Sequence, residues 1–350
     1  MTERSREVQQ AESGPAPVWD VINGFAAYWA LHAAIDLGLF AQLADGPATG
    51  TELADALGVH DPADLTLLAQ LLAAKGLLET DGERWRNSVV SERFLVPSSP
   101  QTMVELVRHS PGPQVGWPAL AATLRKGRPA RQVSDALNAL YPELVAATAA
   151  TQAAVASGVA TELRTSGRWD GTGLIVDLGC GSGAWLHRLL EAAPHAKALG
   201  VDLPHVLPAA RDRLAGRDVT LVGGDYLDVD LPPRGASVVI LAHVLRAESA
   251  PRAEALVGRA LDLLAEDGVL LVADYFRPPD GAPTDTYASA AHDLTLALTM
   301  RASTLGRGLS EPTLAAWCAV RGAGTSAVVE PVPRQRVHLI TLSEVPDDRS

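Results

Sequence analysis

The sequence predicts an α/β protein, with a mostly helical N-terminal domain and a doubly wound C-terminal domain closed by an antiparallel hairpin. Three observations carry this. Apolar residues recur at helical spacing over residues 18–40, and helical patterns dominate as far as residue 165. From Leu174 onward, short apolar runs alternate with helical segments, the pattern of parallel strands joined by crossover helices. Between the first two runs lies Gly173-Leu-Ile-Val-Asp-Leu-Gly-Cys-Gly-Ser-Gly183, where glycines alternate at 179, 181 and 183.

Bulk properties narrow the function classes. A chain of 350 residues with 47% hydrophobic content can bury a large core and suits two domains. Its net charge of −12 opposes binding to nucleic acid or to anionic membranes. The two cysteines, Cys180 and Cys318, are far apart, which fits a reducing cytoplasm better than a disulfide scaffold. Cys180 reads as a small residue tolerated in the glycine turn, with no nucleophilic role. No window approaches the apolar length of a membrane span, and the first residues lack the order of a signal peptide.

The elements follow in order. Residues 1–17 are polar and read as a frayed tail. Val18 to Phe40 reads as one helix, too apolar for a lone surface helix and expected to pack on another subunit. Asp45-Gly46-Pro47 is a turn, and Thr51 to Leu57 a capped helix stopped by Gly58. Asp61 to Ala74 is a second helix, and Leu77 to Trp85 a hairpin turning at Asp81-Gly82. Helix, turn, helix and hairpin make a winged helix. Its second helix is rich in leucine and poor in bases, which favours packing over DNA reading.

Trp117 to Lys126 and Tyr141 to Thr165 read as further helices, with the domain boundary near Gly167: residues 18–166 form the first domain and 167–350 the second. Five parallel strands are expected at 174–178, 198–201, 219–222, 237–242 and 269–273, then a hairpin at 325–331 and 336–342.

A glycine turn between strand and helix lets backbone amides and the helix N-terminus approach a ligand closely, in the Rossmann manner. A dinucleotide needs G-x-G-x-x-G around a pyrophosphate, whereas here the spacing is G-x-G-x-G. Asp177, just before the turn, would repel a pyrophosphate but suits the ammonium of S-adenosylmethionine. Asp202, at the tip of the second strand, suits both ribose hydroxyls of either cofactor. Asp225 and Tyr226, after the third strand, suit an adenine amino group and ring; the plain alternative for Asp225 is a helix N-cap. Asp177, Gly179, Gly181, Gly183, Asp202, Leu203, Asp225, Tyr226 and Ala242 form the expected set for S-adenosylmethionine.

On these residues the chain resembles the dimeric small-molecule S-adenosylmethionine-dependent O-methyltransferases, as found in bacterial secondary metabolism. The likeness also rests on Leu37-Gly-Leu-Phe40, Ala74-Lys-Gly-Leu-Leu78, Gly127-Arg-Pro129 and Asp267-Gly-Val-Leu-Leu271. It implies a winged-helix dimerisation domain, a homodimer, and methylation of a hydroxyl on a polyketide or aromatic acceptor. In many members a histidine base follows the fourth strand; here Val244-Leu245-Arg246 places Arg246 at that position. Arginine stays protonated and cannot serve as base. His243, Arg246, His292 and Asp293 are therefore the catalytic candidates, with Trp117, Tyr141, Tyr287, Met300 and Leu305 shaping the acceptor pocket; His243 and Arg246, three residues apart, share one face if a helix turn starts there. Two histidines, His243 and His292, without an identifiable third ligand make a weak metal signal, and none is assigned. The missing base leaves two alternatives open. One is C-methylation of an α-keto acid or similar acidic carbonyl compound. The other is a different reaction on the same fold: hydroxylation, decarboxylation or cyclisation.

Overall fold

The computed structural model describes residues 15–110 and 113–342. The expected tail lies outside the described residues up to position 14, and Ala16 already opens a helix. The chain divides into two compact units, Met1–Arg108 and His109–Ser350.

In the first unit, α1 (Ala16–Leu37) and α2 (Leu39–Ala44) replace the single helix expected to Phe40. Gly38, at φ 78°, makes the break as a left-handed cap, its amide turned onto the Ala34 and Ile35 carbonyls. β1 (Ala48–Thr49) leads into α3 (Gly50–Leu57), which is capped by Thr49 rather than opened at Thr51. The Thr49 hydroxyl accepts the Glu52 amide at 3.2 Å and the Glu52 carboxylate accepts the Thr49 amide at 2.7 Å. α4 (Pro62–Ala74), capped by Asp61, precedes the hairpin of β2 (Leu78–Thr80) and β3 (Arg84–Asn87). These strands form a small antiparallel sheet in the order β1-β3-β2. α4 buries Leu65, Ala69 and Leu72 and carries no basic side chain, which favours packing over DNA reading. α1 is different: Val21 is 80% and Phe25 73% exposed, an apolar helix face open to its surroundings.

α5 (Val89–Phe94) and α6 (Val104–His109) follow, then a 3₁₀ turn over Pro113–Ala119 and α7 (Leu120–Lys126), where one helix from Trp117 was expected. The long helix expected from Tyr141 is instead two, α8 (Arg131–Ala147) and α9 (Ala149–Thr165), bent by 54°. Thr148 lies at the bend, its hydroxyl bonded back to the Leu144 carbonyl at 3.1 Å, a bond that competes with the helix ladder. Pro142 lies inside α8. Among the described residues no single helix is long and apolar enough to cross a membrane.

β4 (Leu174–Leu178), α10 (Ala184–Ala192), β5 (Lys197–Asp202), α11 (Leu207–Arg213), β6 (Val219–Gly223) and β7 (Ala236–Ala242) match the expected alternation. α12 (Ala250–Leu263), β8 (Leu264–Asp274), α13 (Thr284–Ser289), α14 (Ala291–Ser303) and α15 (Glu311–Ala319) come next. The hairpin of β9 (Ala323–Val332) and β10 (Gln335–Leu342) closes the chain. The sheet order is β6-β5-β4-β7-β8-β10-β9, parallel through β8 and antiparallel beyond. Both faces are buried, so the strands read as continuous apolar runs. Ile175, Val238 and Leu271 pack beneath α9 and α10, while Val176, Val239 and Leu270 pack on α12. Strand order reverses between β4 and β7. The carboxyl ends of the strands on either side of that point form the crevice where ligands bind such sheets.

Candidate active site

The donor side of the crevice is built on the glycine turn. The Gly179 and Cys180 amides bond the Val201 carbonyl at 2.8 and 3.0 Å, tying the turn to β5. Asp202, at the tip of β5, accepts the Gly181 amide on one oxygen and the Leu203 amide on the other, both at 2.7 Å. One lone pair on each oxygen remains for a ligand, the arrangement that vicinal hydroxyls need.

Asp177 is 1% exposed, and its Oδ1 has no hydrogen-bond partner among the described residues. Burial, and then the charge of Asp202, hold its carboxyl well above the usual carboxylate range. A carboxyl so placed lacks a cation, and the ammonium of S-adenosylmethionine supplies one. The donor set therefore fits that cofactor. Cys180 is buried and its thiol is pushed up by burial and by Asp177, so it is no nucleophile.

Asp225 and Tyr226 lie beyond β6, as expected, but both have protein partners. Asp225 accepts the Leu227 amide at 2.9 Å, closing a turn where the plain alternative expected a helix N-cap, and also the Arg252 guanidinium at 2.8 Å. Burial would raise its pKa, and the amide and Arg252 more than reverse this. The Tyr226 hydroxyl donates to Glu248, which Arg252 also holds at 2.7 Å. Leu203 is partly exposed beside Asp202, and Ala242 ends β7.

A second cluster gathers around Asp274, the last residue of β8. Its Oδ1 accepts the Tyr275 amide at 2.8 Å and its Oδ2 the Arg246 amide at 3.3 Å. His243 and Arg246 were expected to share one helix face. They do not, because His243 has a left-handed backbone at φ 60° and the 3₁₀ turn starts only at Leu245. Asp274 brings them together instead: its Oδ1 is 3.7 Å from His243 Nδ1 and 3.8 Å from Arg246 Nε, both too long for hydrogen bonds. The Arg246 guanidinium lies 5.2 Å from the Tyr275 ring centre, and the His243 and His292 rings lie 5.3 and 5.5 Å from it.

Neither His243 nitrogen has a hydrogen-bond partner among the described residues. Burial pulls its pKa down, with Asp274 partly opposing, so the imidazole is neutral at pH 7. Asp293 is 4.0 Å from Arg334; burial raises its carboxyl, with His292 and Arg334 opposing. Tyr141 on α8 feels the charges of Asp202, Arg246 and Glu248, and burial first, then Asp202, push its hydroxyl up to about 12. Among the described residues no group of three or more His, Cys, Asp or Glu could hold a metal ion.

Asp274, Tyr275, Glu248 and Arg252 were not singled out from sequence. Asp274 had a usable signal, since it ends its strand as Asp202 ends β5. Glu248 and Arg252 pair with each other four residues apart, but their contacts with Tyr226 and Asp225 join segments remote in sequence and had no signal.

The family model of the O-methyltransferase domain matches residues 137–312, and that of the O-methyltransferase dimerisation domain matches residues 19–97. The chain is 33% identical to the N,N-dimethyltransferase OxyT of Streptomyces rimosus, over 76% of this chain and 77% of that protein. It is 29% identical to the 3-hydroxy-5-methyl-1-naphthoate 3-O-methyltransferase of Streptomyces sahachiroi, over 90% of each. In fold it is similar to human N-acetylserotonin methyltransferase in complex with S-adenosylmethionine, with a TM-score of 0.76 at 21% identity over 95% of this chain and 99% of that one.

Proposed function

The chain belongs to the O-methyltransferase family, and from that premise we propose that its Asp274-centred pocket methylates an oxygen of an aromatic or polyketide acceptor in the cytoplasm. That it is an S-adenosylmethionine-dependent methyltransferase acting on a small molecule, with a dimerisation domain, follows from the family. The observation that carries the site assignment is the pairing of a neutral, unpartnered His243 with a fixed Arg246 across Asp274, facing the donor cradle from the other half of the sheet.

When bound, the cofactor supplies an electrophilic methyl on a sulfonium. Asp177 holds its ammonium, Asp202 its ribose, and Asp225 with Tyr226 flanks its adenine. His243 accepts the acceptor's proton, and Asp274 beside Nδ1 stabilises the imidazolium that results. Arg246 stabilises the oxyanion left behind. His292 and Asp293 border the acceptor. Oxygen is favoured over nitrogen because a guanidinium in the pocket opposes entry of a protonated amine.

Incubation with labelled methyl donor and a panel of phenolic, amine and keto-acid acceptors tests the reading. Transfer to phenols supports it; no transfer to any acceptor by protein that still binds S-adenosylhomocysteine overturns it.

The Asp177 assignment predicts a pH dependence. A carboxyl whose folded pKa is raised holds its proton more tightly when folded, so it costs the free protein stability as pH rises from the unfolded value toward the folded one. An ammonium lowers that pKa, so donor binding releases a proton and tightens as pH rises across the same window. Asp177→Asn is expected to flatten both trends. Calorimetry in two buffers of different ionisation enthalpy measures the proton count, and equal release in wild type and variant would remove Asp177 from the site.

The exposed face of α1 predicts a second result. Ile22 and Phe25, 53% and 73% exposed, lie one turn apart on that face. In a two-fold interface each counts twice, at about 1.5–3 kcal/mol per buried side chain. Ile22→Asp with Phe25→Asp is expected to give a folded monomer by light scattering, and a persistent dimer would place the interface elsewhere.

A further inference from the structure

We infer that the acceptor is an anion: the site binds a small molecule through an oxyanion laid against the Arg246 guanidinium. This rests on the reading of the Asp274 pocket as the acceptor site.

Arg246 is 21% exposed, yet two of its guanidinium nitrogens are buried without being satisfied. Its Nε and Nη1 are shielded from solvent and have no hydrogen-bond partner among the described residues. Asp274, at 3.8 Å, balances the charge but stands beyond hydrogen-bond range, with its oxygens already holding the Tyr275 and Arg246 amides. Charge balance permits burial; unmade donor bonds remain costly, and an oxyanion is what makes them. The neighbouring acids have cations of their own. Asp225 and Glu248 are paired with Arg252, and Asp293 faces Arg334. None of them is spare for Arg246.

The guanidinium is also held in place. The Tyr275 ring lies on one side of it, and the Gln335 amide donates to the Tyr275 hydroxyl. The Gly308 amide bonds the Arg246 carbonyl at 3.3 Å, and a Cβ at Gly306 would come within 2.0 Å of that oxygen. The loop of residues 306–308 thus clamps the turn that carries Arg246. A donor fork fixed before the ligand arrives selects planar oxyanions over neutral oxygens. Two sources present that chemistry: a carboxylate beside the reacting hydroxyl, or an acidic enol whose own oxygen is ionised at neutral pH.

Titration calorimetry on dimeric enzyme saturated with S-adenosylhomocysteine tests this with two matched pairs. Salicylate against salicylamide probes the carboxylate, and lawsone against its methyl ether probes the enolate. At least one anion is expected to bind ~10-fold or more tightly than its neutral partner. Arg246→Gln should abolish the preference, and Arg246→Lys should retain part of it. The lysine variant keeps the experiment decisive should the glutamine variant fail to fold. Equal binding within both pairs, no binding of either anion at millimolar concentration, or an undiminished preference in folded Arg246→Gln would each overturn the inference. Loss of S-adenosylhomocysteine binding by the wild type would instead sink the donor-site reading, so the two failures are distinct.

Discussion

Asp202→Ala is expected to weaken binding of S-adenosylhomocysteine by at least ~100-fold. Each oxygen of this carboxylate takes one backbone amide and keeps a lone pair for a ligand hydroxyl. Hydrogen bonds to a charged group contribute about 1.5–3 kcal/mol each, so losing two costs about 3–6 kcal/mol of binding. The variant also strips the Gly181 amide of its partner, which loosens the turn that lines the same ligand. Asp202→Asn keeps an acceptor for that amide and is expected to fall between. Calorimetric dissociation constants for the three proteins check the order, and a value within about five-fold of wild type for the alanine variant would remove Asp202 from the donor site.

Gly179→Ala is expected to cost both folding and binding. The residue sits at φ 91°, where an L side chain costs about 1–2 kcal/mol. A Cβ there would also come within 2.4 Å of Val244 Cγ1, and overpacking of this kind adds about 1–3 kcal/mol. Val244 immediately precedes the turn that carries Arg246, so the displacement reaches the acceptor side as well. Gly179→Ala with Val244→Ala is expected to recover the packing part and leave the backbone part. Urea unfolding of the two variants separates them; a single variant as stable as wild type would show that the turn has slack the distances deny.

Much of this site was legible in the sequence, for reasons that differ by residue. Asp177, the glycines and Asp202 could be read because strand, turn and strand are consecutive, so spacing alone places their chemistry. Asp225 could be located but not its partners: Arg252 comes from α12, which only the crossover returns to that strand end. Arg246 could be identified as an anomaly, yet its relation to His243 was misread, because helical periodicity says nothing of a left-handed residue. The break at Gly38 was signalled by the glycine, yet the apolar spacing carried the expected helix past it to Phe40. The bend at Thr148 was not, because threonine is common inside helices and its back-bond depends on the turn before it.

The reversal of strand order has a bearing on how such an enzyme diversifies. The donor cradle is drawn from β4, β5 and β6, while His243, Arg246, Asp274 and Tyr275 come from the tips of β7 and β8. On the proposed assignment, acceptor range can therefore drift through residues 243, 245–247, 274–275 and 306–308 while the cofactor's grip is inherited intact. At the rim the halves meet in Val244 against Gly179 and in Tyr226 bonded to Glu248. A library meant to reach new acceptors should hold those four positions still and vary the rest of the β7–β8 rim.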